Sequence, residues 1–151
     1  MILENNAKPH LEHAVEFAAK ADEGSFFDYI ILHGSVAKGT QKPESDIDFL
    51  LIYSLAKYKE KANQYFQHLA QLFNYSLQSP VRLDLNLVER QNLDRKEFLK
   101  SYLEKIEDKH FYVNAFESGL VFDGKSFSRK AIESDYLKRC VERMRQVMPQ
   151  V

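Results

Sequence analysis

The sequence is poor in the residues that build covalent and metal frameworks. It has one cysteine, Cys140, in 151 residues, which excludes a disulfide scaffold and a cysteine-based metal cluster. His10, His13, His33, His68 and His110 do not fall at metal-ligand spacing and read as surface or packing residues. Glycine and proline are scarce, at five and four, and form no linker, so residues 1–151 read as one domain. No apolar run approaches the length that crosses a bilayer, and "MILENNAKPH" lacks the basic and apolar regions of a secretion signal. An excess of charge is missing too. The formal net charge is -1, with acids and bases interspersed, which disfavours an extended nucleic acid as partner. What remains is the expectation of a cytoplasmic domain with no membrane attachment. At 44% hydrophobic residues it has enough apolar material for a core.

The apolar residues that are present fall into strand and helix periods. Pro9 to about Asp22 reads as a helix through Leu11, Val15, Ala18 and Ala19, with Gly24 expected to end it in the left-handed conformation. "FDYIILHG" and "SDIDFLLIY" (Ser45–Tyr53) read as buried strands, and "VRLDLNLV" (Val81–Val88) alternates as a strand should. Between the last two, a helix from about Lys57 to Tyr75 places Ala62, Tyr65, Phe66, Leu69, Leu72 and Phe73 on one face. Helical spacing returns at Leu93–Ile106 and again up to Ser118, before a short "LVF" and an Asp123-Gly124 turn. The segment 128–151 reads as a C-terminal helical extension, with Ile132, Tyr136, Cys140, Val141, Met144 and Val147 near one stripe. The fold class is therefore α/β (α+β), a small mixed β-sheet flanked by helices.

Chemistry concentrates in "HGSVAKGTQKPESDID" (His33–Asp48). Strand parity puts Asp46 and Asp48 on one face, opposite Ile47 and Phe49. On "VRLDLNLV", Arg82, Asp84 and Asn86 share the face opposite three leucines. If the two strands are neighbours, Asp84 faces the same space as Asp46 and Asp48. Three carboxylates would repel one another unless divalent cations lie between them, and hard oxygen ligands suit Mg2+. Upstream, Gly34 allows a tight turn and close approach of a ligand. Ser35 supplies a hydroxyl donor, Lys38 a nearby positive charge, and free backbone N–H groups favour phosphate. A phosphate half and a metal half thus lie side by side in sequence.

Gly34-Ser35, ten intervening residues, Asp46-Ile47-Asp48 and a later strand carrying Asp84 resemble the polymerase-β-like nucleotidyltransferase superfamily. The length is similar to that of its minimal members, which include antitoxin partners of HEPN-domain toxins. The resemblance implies that Gly34 and Ser35 hold the triphosphate and that Asp46, Asp48 and Asp84 bind two Mg2+ ions, Asp84 also assisting deprotonation of the acceptor. It implies transfer of a nucleoside monophosphate, AMP from ATP or another NTP, to an acceptor hydroxyl, with a tyrosine of a HEPN-type toxin as one such acceptor. His33 departs from the bulky apolar residue usual before the Gly-Ser pair, and it is expected to pack rather than touch substrate. Two other functions fit the same residues: a nucleotide- or partner-binding module without turnover, and a transferase acting on a small molecule such as an antibiotic. Taken separately, the turn and the acids are what any surface loop or helix cap carries; their spacing favours a site. Tyr and Phe recur at core spacings, so no base-stacking platform is indicated.

Overall fold

Three strands form where the chain is most apolar: β1 (Phe27–His33), β2 (Ile47–Tyr53) and β3 (Leu83–Glu89). Two short ones, β4 (Leu120–Phe122) and β5 (Phe127–Ser128), flank the Asp123-Gly124 turn. The computed structural model describes residues 2–105, 109–128 and 135–148, and in it these strands make one sheet in the order β3-β2-β1-β4-β5. β2 and β3 run parallel, whereas the other neighbours are antiparallel. A parallel pair needs a long crossover, and the chain between Tyr53 and Leu83 supplies it with two helices.

The helices are α1 (Ile2–Asp22), α2 (Gly34–Lys38), α3 (Leu55–Glu60), α4 (Ala62–Gln78), α5 (Arg90–Leu93), α6 (Lys96–Lys105), α7 (Lys109–Ser118) and α8 (Asp135–Val147). They cover both faces of the sheet. Because side chains alternate along a strand, Ile47, Phe49 and Leu51 join Ile30 and Leu32 against Phe17 and Ala18 of α1 and Tyr65 and Leu72 of α4. Leu50, Ile52, Ile31 and Val88 point the other way, into a core completed by Leu99, Phe116, Leu137, Cys140 and Met144. The stripe on α8 is thus packed into the second core, as its spacing suggested; Ile132 and Ile106 lie outside the described residues. Glu89, at the end of β3, accepts hydrogen bonds from the main-chain N–H of Leu55 (3.0 Å) and of Asn92 (3.1 Å), which ties the start of α3 to the cap of α5. Among the described residues no helix is long and apolar enough to cross a membrane.

Four local expectations change. α1 begins at Ile2 and runs through Pro9; an internal proline removes one backbone hydrogen bond but need not end a long helix. The residue with positive φ after α1 is Ser25 (52°), not Gly24. Gly24 is small for another reason: a Cβ there would come within 3.0 Å of the His68 ring. The helix expected from Lys57 to Tyr75 is two helices, broken at Lys61, whose φ and ψ of -134° and 44° are not helical. Leu93–Ile106 likewise divides, with α5 closing at Leu93 and α6 opening at Lys96.

Candidate active site

The end of β1 and the starts of β2 and β3 meet at one edge of the sheet. His33 pairs with Asp48 in the antiparallel register of β1 and β2, and Asp48 pairs with Asp84 in the parallel register of β2 and β3. Directly paired residues project to the same side. A row His33–Asp48–Asp84 therefore crosses three strands, on the sheet face whose apolar neighbours pack under α6, α7 and α8. Asp84 is exposed, Asp48 half-buried and His33 buried.

The row is electrostatically tense. Burial raises the Asp48 carboxyl to about 6, and the charge of Asp84, a hydrogen bond shared with Asp84 and the charge of Asp46 push in the same direction. Burial lowers the His33 imidazole to about 4, against the pull of Asp84. At neutral pH His33 is thus uncharged and does not neutralise its neighbours. Two facing carboxylates form an oxygen-donor pair whose mutual repulsion a hard divalent ion would relieve.

Asp46 stands at the side. It precedes β2, and its carboxylate is 3.8 Å from Nε of Arg82, a side chain four-fifths exposed. The acid that Arg82 meets is thus Asp46 and not Asp84, with which it shares a strand face. Among the described residues, no group of three or more His, Cys, Asp or Glu side chains is gathered so as to hold a metal ion. The expected convergence of three acids is therefore present as one pair, Asp48 and Asp84, with Asp46 acting on Asp48 through its field. Mg2+ takes one or two protein carboxylates and completes its shell with water and phosphate oxygens, so the donor chemistry of the pair fits that ion.

Gly34 closes the other side. Its φ is +74°, and a Cβ built on it would collide with the Asp48 carboxylate, lying 3.2 Å from its Cγ as well. The main chain of the Gly-Ser turn is therefore pressed against the central acid of the row. From there α2 makes a single turn and a half, ending at Gly39 in the left-handed conformation. Ser35 is half-buried; Lys38 is exposed and lines a small cleft with His33, Gly34, Ala37, Asn114 and Ser118.

The loop between α2 and β2 is held from several directions. Ser35 O accepts from the Thr40 N–H (2.9 Å), and Ser45 Oγ accepts from the Lys42 N–H (2.8 Å). Buried His10, on α1, bonds through Nε2 to the carbonyl of Ser45 (3.1 Å), which fixes the chain just before Asp46. Gln41, 3% exposed, is buried in the same loop. Sequence reasoning read His10 and His33 only as surface or packing residues and passed over Gln41. The first two depend on contacts between distant segments, and nothing in the local pattern marks the third.

A mixed sheet between helices, with a Gly-Ser turn and paired acids at one edge, has the fold of a nucleotidyltransferase. A protein-family model described as a nucleotidyltransferase domain matches residues 28–136, and the chain belongs to that family. The match contains Gly34, Ser35, Lys38, Asp46, Asp48 and Asp84. No curated protein matches the chain.

Proposed function

We propose that this nucleotidyltransferase domain moves AMP from ATP, with Mg2+, to a hydroxyl of an acceptor protein. The observation that carries the reading is the in-register pair Asp48–Asp84 set against the main chain of Gly34. It supports the reading because two facing acids beside a glycine turn suit a metal-bound phosphate. Asp48 and Asp84 would hold the metal, with Asp46 joining them by turning from the weak, exposed contact with Arg82. When bound, Mg2+ would supply charge neutralisation on the triphosphate and on the departing pyrophosphate. The backbone N–H groups of the turn and the Ser35 hydroxyl would orient the phosphates. Asp84, exposed on an outer strand of the sheet, would accept the acceptor's proton as its oxygen bonds to the α-phosphorus and the bond to pyrophosphate breaks.

The balanced surface charge speaks against a polynucleotide, and the resemblance to antitoxin-type members points to a tyrosine of a HEPN-type partner. Labelled ATP, Mg2+ and a candidate partner protein test it. Label on the partner, lost with Asp48→Asn, is expected; label only on a small molecule or an RNA end would refute the protein acceptor. A second reading, binding without turnover, is favoured by the Asp46–Arg82 contact. It predicts Mg2+-dependent ATP binding with no pyrophosphate released.

A further inference from the structure

α4 carries more apolar surface than its own domain covers. Tyr65 and Leu72 are buried, but the adjacent stripe is not: Phe66 is 65% exposed, Phe73 46% and Leu77 85%. Ala62 and Ala70, also exposed, complete it. At 100° per residue these five lie within one quarter-turn of the helix, next to the buried face. A patch that contiguous on a helix is an interaction surface rather than scattered surface hydrophobicity.

Composition says what kind of partner fits. The chain has 21 basic and 22 acidic residues, yet α4 has none along its 17 residues. Its solvent side is Asn63, Gln67, Asn74 and Gln78 beside the stripe. A two-fold interface sets each residue near the axis against its own copy, so a charge there meets a like charge. Amides carry both donors and acceptors and pair with themselves. An uncharged, amide-bordered apolar stripe is therefore suited to a second copy of itself.

We propose that the protein self-associates through α4, two copies crossing antiparallel about a point between Ala70 and Phe73. That register sets Phe66 against the partner's Leu77 and Phe73 against the partner's Ala70, so large residues meet small ones at the centre. With a fully exposed aromatic offering about 200 Å², the stripe gives on the order of 450 Å² per protomer. The bordering amides bring it toward the roughly 800 Å² per partner of a standard stable interface. This surface is separate from the carboxylate edge, and the inference does not depend on the proposed reaction.

Sedimentation velocity on the whole chain tests it, with Phe66→Lys and Leu77→Glu as separate variants. Both positions are exposed, so folding should be retained, and circular dichroism checks that. The wild type is expected to be dimeric at about 100 µM and each variant to dissociate at least about tenfold more readily. Mixing the two variants should restore a dimer, because the lysine then faces the glutamate. A monomeric wild type would overturn the proposal and leave the stripe to a different protein. Variants that remain dimeric, or a mixture that stays monomeric, would overturn the surface or the antiparallel register respectively.

Discussion

Gly34 has no side chain because the Asp48 carboxylate occupies the space one would need. Two segments that lie fourteen positions apart in sequence are in this way built as one object. Gly39 provides the comparison: its φ is +73°, nearly the same, but nothing lies within 4 Å of a Cβ built there. Gly39→Ala is expected to cost about 1 kcal/mol for the left-handed backbone alone. Gly34→Ala should cost at least about 1 kcal/mol more, since the acid or the turn must also move. Urea denaturation of the two variants measures the difference, and equal losses would show that the Asp48 contact carries no energy.

Asp48 makes stability depend on pH in the sense opposite to a salt-bridged acid. Its folded value is about 6, above the ~3.9 of an unfolded aspartate, so the folded state holds the extra proton between those values. Stability from this group is therefore greatest at the acid end and falls as pH rises from about 4 to about 6. Asp48→Asn should remove that slope and raise stability at pH 7 in the absence of metal. A variant with the wild-type slope would assign the titration to another group.

Ser35→Ala should weaken Mg2+-dependent ATP binding without abolishing it. The main-chain donors of the turn remain, so the expected loss is that of one hydrogen bond to a charged group, about 1.5–3 kcal/mol. Calorimetry decides, and unchanged affinity would place Ser35 outside the phosphate site.

Arg82→Ala probes Asp46. A 3.8 Å contact between two exposed groups contributes little, so folding stability should change by less than about 0.5 kcal/mol. Freed of that contact, Asp46 is expected to strengthen Mg2+ binding in the presence of ATP. Weaker binding would mean instead that Arg82 itself contacts the triphosphate.

Much of this was legible in the residues. "FDYIILH", "IDFLLIY" and "LDLNLVE" are strands because apolar and β-branched residues run together there, and parity put Asp84 on the side of Asp48 on the condition that their strands are neighbours, as they are. Parity says nothing about which strands are neighbours, so His33 could not be seen to stand beside Asp48 until β1 was paired with β2. The helical period placed Phe66 and Phe73 with Tyr65 and Leu72 on one apolar face. It could not tell that the domain covers only half of that face. The break at Lys61 has no glycine or proline to announce it. Ser25, where a glycine one position earlier was the obvious candidate, shows that tertiary constraint can override local preference.

The parallel pairing of β2 with β3 has a kinetic consequence. Asp48 and Asp84 are 36 positions apart, with α3 and α4 in the chain between their strands. That closure is a long-range, entropically costly step, and it brings two like charges together as it completes. Refolding should therefore run faster near pH 5, where the pair holds a proton, than at pH 7, and stopped-flow refolding across that range would reveal the difference. The strand that completes the parallel pair is also the one that brings the second acid to the row, so the topology and the acidic edge depend on one and the same pairing.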